Sequence, residues 1–159
     1  MAEHIVESNG RASKTKSAFR MEYAAGVDIN ASVNRVWALM TDAAGFPRWN
    51  STIKSIEGQI AAGQTIKLIA TVAPNRVFNL NIIDFVPQKR MVWSDGNAMF
   101  KGVRTYTFAS KSNDSTDFTM AEAYTGLMLP MIAGSLPNFI PIFETYLADL
   151  KRAAEQSNS

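Results

Sequence analysis

The sequence predicts an α+β domain in which a seven-stranded antiparallel sheet is covered by one long C-terminal helix. Three observations carry that prediction. From Thr52 to Thr125 apolar residues recur with a period of two, and from Phe139 to Ala154 they recur at spacings of three and four. The segments between the period-two runs are short, which makes an antiparallel meander the economical topology.

The first strand is read in "YAAGVDINA", where Ala25, Val27 and Ile29 alternate with Gly26, Asp28 and Asn30. Asn30 or Ser32 then supplies an N-cap for "SVNRVWALMTD", whose Val33, Val36, Trp37 and Met40 share one helical face. A second short helix is expected in "DAAGFPRWN", capped by Asp42 and interrupted near Gly45 and Pro47. Six strands follow: "TIKSIEGQ", "QTIKLIAT", "RVFNLNIIDF", "RMVWSD", "KGVRTYTFAS" and "TDFTMAEAYT". Turn signals separate them. The terminal helix carries Phe139, Ile142, Phe143, Tyr146, Leu147, Leu150 and Ala154 as its apolar stripe, with Glu144, Asp149, Lys151 and Arg152 mostly elsewhere.

The chain of 159 residues is long enough for one core, and 47% hydrophobic with 19% charged residues describes an ordinary globule. Its surplus of positive charge comes from residues 1–20, where Arg11, Lys14, Lys16 and Arg20 outweigh Glu3 and Glu7; the remainder holds 12 basic and 12 acidic side chains. That balance leaves no footprint for nucleic acid. Residues 1–20 read as a flexible tail and 21–156 as the domain. Without cysteine there is no disulfide or thiolate chemistry, so the reducing cytoplasm is permitted and is the expected location. Residues 124–143 carry no charge over a span that could cross a bilayer, but Pro130, Pro137, Pro141, Gly126 and Gly134 interrupt it, so no membrane span is expected.

One charge needs an account. Glu122 stands in line with Phe118, Met120 and Tyr124 on the inward face of its strand. A hairpin centred near Asn113 pairs Phe108 with Phe118, Tyr106 with Met120 and Arg104 with Glu122, which gives the carboxylate a guanidinium partner. Such a pair is either a structural ion pair or the polar part of a cavity that receives a ligand.

The order of elements, with "VDINASVNRVWALMTDAAGFPRWN" at the front, "VPQKRMVWSDG" in the middle and "FTMAEAYTGLMLP" near the end, resembles the START-like or SRPBCC (Bet v1-like) superfamily over about residues 21–156. It looks most like the polyketide cyclase/dehydrase and lipid transport branch. The resemblance implies a helix-grip fold with a deep cavity between a curved sheet and the helix. Under it the ligand-binding lining is expected to draw on Phe78, Leu80, Met91, Trp93, Arg104, Tyr106, Phe108, Phe118, Met120, Glu122, Tyr124, Met128, Met131, Ile132, Leu136, Phe139 and Ile140. Trp49 is expected to plug one end of the cavity as packing; Arg48 and Asn50 are expected at the surface.

With its one histidine, His4, in the tail, the domain lacks the residues of thiol proteases, Ser-His-Asp triads and ordinary zinc sites. No metal and no cofactor are expected, and no phosphate loop is present. Binding or transport of a small hydrophobic ligand, by a monomer or homodimer, is the first expectation, with the proline-broken stretch 126–141 as the gate. The alternative is a cyclase or dehydrase that uses Glu122 as general acid or base, Arg104 as anion stabiliser and Tyr106 or Tyr124 to position a carbonyl. A protein-binding adaptor is disfavoured by the Thr- and Lys-bearing outer face.

Overall fold

The computed structural model describes residues 6–156; residues 1–5 of the expected tail, His4 among them, and 157–159 lie outside the described residues. An antiparallel sheet of eight strands runs in the order β1-β2-β8-β7-β6-β5-β4-β3. Its strands are β1 (Asn9–Lys16), β2 (Arg20–Ile29), β3 (Ile53–Glu57), β4 (Thr65–Ala70), β5 (Phe78–Val86), β6 (Arg90–Gly96), β7 (Lys101–Ser112) and β8 (Ser115–Thr125). Helices α1 (Val33–Thr41) and α2 (Phe46–Trp49) follow β2, α3 (Leu129–Ile132) follows β8, and α4 (Ile140–Glu155) ends the domain.

The sheet has eight strands rather than seven, and the additional one lies in the stretch expected to be a tail. β1 pairs with β2 from Ala12↔Ala25 to Lys16↔Met21. Only Gly10 and Ala12 of β1 are even half-buried, so its attachment rests on backbone hydrogen bonds, not on an apolar face. Glu144 of α4 adds to it, accepting from the Ala12 backbone N–H at 2.9 Å.

The period-two strands form as expected, and the β7–β8 register matches the hairpin read above: Phe108↔Phe118, Tyr106↔Met120 and Arg104↔Glu122. Ser32, one of the two N-cap options, accepts the Arg35 N–H at 3.2 Å, and Asp42 caps the 3-10 turn Ala43–Gly45. α4 lies across β1 and β2 and buries Phe143, Tyr146, Leu147 and Leu150. Asp149 on the same helix is also buried; it accepts the backbone N–H and the hydroxyl of Ser51 at 2.8 and 2.7 Å, tying α4 to the chain before β3.

The uncharged stretch 124–143 forms the end of β8, α3, a 3-10 turn and the start of α4. No helix among the described residues is long and apolar enough to cross a membrane. Gly126 lets this stretch leave the sheet: its φ is +137°, and a Cβ there would lie 2.3 Å from the Met99 carbonyl oxygen. Any other residue at that position would push the β6–β7 loop away.

Candidate functional site

A cavity of about 260 Å³ opens between the sheet and the start of α4. Leu68 of β4, Phe78 and Leu80 of β5, Trp93 and Asp95 of β6, Gly102 and Arg104 of β7, and Glu122 and Tyr124 of β8 form its wall. Leu136, Pro137, Phe139 and Ile142 form the opposite side. Because side chains on a strand alternate, two rows cross this wall. Trp93, Arg104 and Glu122 are successive cross-strand partners, and so are Asp95, Gly102 and Tyr124.

In the first row Glu122 Oε2 accepts from Arg104 Nε at 3.1 Å, from Arg104 Nη2 at 2.6 Å and from the Tyr124 hydroxyl at 3.1 Å. The guanidinium carbon of Arg104 also lies 5.2 Å from the ring centre of Phe143 and 5.9 Å from that of Tyr146. Burial alone would lower the pKa of Arg104, but the adjacent Glu122 carboxylate raises it well above the usual value. The ion pair is therefore charged and largely enclosed, with both side chains less than one-fifth exposed.

In the second row Gly102 makes the space. A Cβ at Gly102 would sit 3.1 Å from Asp95 Oδ1 and 3.5 Å from the Tyr124 ring. Burial raises the pKa of the Asp95 carboxyl, and the negative charge of Glu122 raises it further. Tyr124 is stacked between Phe100 and Phe139, with ring centres 5.8 and 5.6 Å away. Burial and then the Glu122 charge raise its phenol pKa, so it stays a donor. Beneath the ion pair, the Tyr106 and Tyr146 hydroxyls are 3.0 Å apart, and burial raises the pKa of both.

The structure brings together Phe78, Leu80, Trp93, Arg104, Glu122, Tyr124, Leu136 and Phe139 from the expected lining. Met91, Tyr106, Phe108, Phe118 and Met120 share that face of the sheet but are fully packed core, at most 4% exposed and outside the cavity lining. Met128, Ile132 and Ile140 are half-buried outside the lining, and Met131 points outward at 79% exposure. Trp49 packs on Phe46 and Tyr146, at ring distances of 4.8 and 6.2 Å. Arg48 is exposed beside Asp42, whereas Asn50 is fully buried, contrary to its polarity, because its Oδ1 accepts the backbone N–H and the hydroxyl of Thr52.

Sequence reasoning missed Leu68, Asp95 and Gly102 in the wall and also Arg76, Phe100, Pro137 and Ile142 around it. For Asp95 the parity was legible, being that of Met91 and Trp93, the inward residues of its strand. A further feature needs coordinates. The indole N–H of Trp93 is buried, in a residue that lines the cavity, and has no hydrogen-bond partner among the described residues.

Known structures share this fold. A START superfamily protein from Mycobacterium smegmatis is 17% identical, with a TM-score of 0.63 over 85% of this chain and 97% of that one. Norcoclaurine synthase from Thalictrum flavum is 12% identical, with a TM-score of 0.63 over 90% of this chain and 99% of its own. A conserved protein of unknown function from Enterococcus faecalis is 14% identical, with a TM-score of 0.68 over 96% of this chain and 81% of that one. Likeness at such identities establishes the fold alone. No curated protein matches the chain significantly in sequence. A family model does match, across residues 20–155, and by it the chain belongs to the polyketide cyclase/dehydrase and lipid transport family.

Proposed function

We propose that the protein binds a compact hydrophobic molecule, aromatic or polyketide-like and bearing at least one oxygen, in the cavity beneath α4. The observation that carries this reading is an apolar enclosure with a few convergent charged groups: Arg76, Asp95, Arg104 and Glu122. Its volume, about 260 Å³, is near the lower end of the roughly 300–1,000 Å³ common for ligand pockets, which favours a small ring system over a two-chain lipid.

Titration with the fluorescent probe 1-aminoanthracene tests the reading. Saturable one-to-one binding is expected, abolished by Leu80→Trp, which fills the cavity without touching the ion pair. Absence of saturation, or full binding by Leu80→Trp, refutes it.

A second reading, cyclase- or dehydrase-type catalysis, is favoured by one observation. Two carboxyl groups share the cavity in unlike surroundings, Glu122 taking three donors and Asp95 having its pKa raised by burial. Such divergence assigns acid and base roles in enzymes. In this reading Asp95 exchanges the proton, Arg104 stabilises an enolate, and Glu122, first taken as the acid or base, holds Arg104 and Tyr124 in place. The Tyr106 hydroxyl is bound to Tyr146 and assists through Arg104 instead of touching the substrate. Solvent deuterium exchange at the α-carbon of an aryl methyl ketone, followed by NMR, tests it: acceleration by the protein and its loss in Asp95→Asn are expected, and no acceleration ends the catalytic reading.

A further inference from the structure

The antiparallel topology sends the connections of the sheet alternately to its two ends. Segments 17–19, 71–77, 97–100 and 126–139 gather at one end; 30–32, 58–64, 87–89 and 113–114 gather at the other. The two ends differ sharply in chemistry. Among the described residues, seven large hydrophobic side chains are exposed, and six of them, Phe19, Val72, Val77, Met99, Leu127 and Met131, belong to the first end. The seventh, Ile83, lies in β5.

Backbone hydrogen bonds fuse three of these loops, 17–19, 97–100 and 126–139, into one surface. Gly126 N donates to Phe19 O at 3.3 Å, Leu127 N to Ala98 O at 3.3 Å and Met128 N to Met99 O at 2.9 Å. Positive charge prevails on this surface. Its four loops contain a single ionisable side chain, Arg76, and the flanking strand ends add Lys16, Lys101 and the mutually paired Arg20 and Glu22. Nearby acids are already engaged: Glu22 is bound to Arg20 at 2.5 Å, and Asp95 faces the cavity. Both ends of the described chain are remote, since Val6 packs beside Gly26 and Glu155 binds Asn30, both near the far end of β2.

Apolar tips on separate loops within a collar of cations fit a bilayer interface that carries negative charge. A folded protein partner is usually met by a continuous packed patch depleted of charge at its centre. We propose that this end docks on an anionic lipid bilayer, with Phe19, Met99, Leu127 and Met131 entering the boundary between headgroups and acyl chains, and Lys16, Arg76 and Lys101 meeting the headgroups. The cavity opens on the same side, where Val72, Phe100 and Pro137 line it, so docking would place its mouth against lipid. The docking surface stands apart from the ligand reading, because none of the four inserted side chains lines the cavity.

Cosedimentation of the full chain with vesicles tests the proposal. Binding is expected to phosphatidylcholine vesicles containing about one-third phosphatidylglycerol, not to pure phosphatidylcholine, and is expected to weaken as salt rises. The double variant Leu127→Asp, Met131→Asp should lose about tenfold in vesicle affinity while keeping its thermal midpoint and its 1-aminoanthracene affinity, and Ile83→Asp should change nothing. No binding to anionic vesicles, equal binding to both lipids, or undiminished binding by the double variant overturns the proposal. So does a dimer in sedimentation velocity that the double variant dissolves, which would make the surface a contact between two copies. Probe binding reads the cavity and cosedimentation reads the surface, so failure of one leaves the other distinguishable.

Discussion

The two faces of the sheet around β8 carry the same ion pair in different settings. On the inner face Arg104 and Glu122 meet at 2.6 Å with side chains 17% and 15% exposed; on the outer face Arg20 and Glu22 meet at 2.5 Å with side chains 54% and 18% exposed, so the two pairs differ in the setting of the arginine. Both faces also have a hollow of similar size, about 320 Å³ outside and about 260 Å³ inside. Size therefore does not mark the binding site. The outer hollow exists because Val103, Thr105, Ala121 and Ala123 are short, whereas the inner one is enclosed by side chains from six strands and by the approach to α4. Enclosure lowers the local dielectric, and that turns an ordinary pair into one with chemical consequences.

The largest expected effect follows from breaking each pair in turn. Glu122→Ala leaves a guanidinium buried without its counter-charge, which costs about 3–5 kcal/mol. Glu22→Ala leaves the half-exposed Arg20 guanidinium, which water solvates, at about 0–1 kcal/mol. Chemical denaturation of the two variants measures the contrast, and equal losses would mean that the inner pair is as wet as the outer one.

A compensated substitution sharpens the same comparison. If the inner pair is kept for the cavity and not for stability, Arg104→Leu with Glu122→Leu should recover the stability lost by Glu122→Ala, or exceed the wild type by about 1–4 kcal/mol. The double variant should still lose 1-aminoanthracene's polar anchoring, seen as a changed emission maximum. A double variant as unstable as the single one would assign the pair a structural role instead. Tyr146→Phe is expected to cost less, about 1–3 kcal/mol, because it leaves the buried Tyr106 hydroxyl without its 3.0 Å partner.

How much of this was legible before the structure depended on which physical signal each part leaves in the sequence. The β7–β8 register could be read because period-two alternation on both strands and a polar turn admit few pairings; Arg104 beside Glu122 followed. β1 could not, since "NGRASKTK" has no apolar alternation and pairs through its backbone. Parity placed Met91, Tyr106, Phe108, Phe118 and Met120 on the inner face, but a face is not a depth. Whether such a residue fills core or lines space depends on where α4 crosses the sheet, which no spacing encodes. Asn50 was missed because its burial is stabilised by a local bond to Thr52 that polarity statistics do not anticipate. Asp95 stands in the strand "RMVWSD" with the parity of Met91 and Trp93, but a lone carboxylate at a strand end carries no signal that separates an inward residue from the start of a turn.

Asp95 also supplies the smallest and most directional prediction. Burial, and then the charge of Glu122, raises its carboxyl pKa in the folded state, so the native protein holds that proton more tightly than the unfolded chain. Between the ordinary aspartate value near 4 and the raised native value, the folded state binds more protons, and stability falls as pH rises through that window. Asp95→Asn has no proton to lose. It should be more stable than the wild type at neutral pH, with the gain shrinking to nothing below about pH 4. Thermal midpoints of both proteins from acid to neutral pH measure the difference. A flat difference across that range would mean that Asp95 is solvated like the acids of the outer face, and the contrast between the two faces would then rest on the Arg104–Glu122 pair alone.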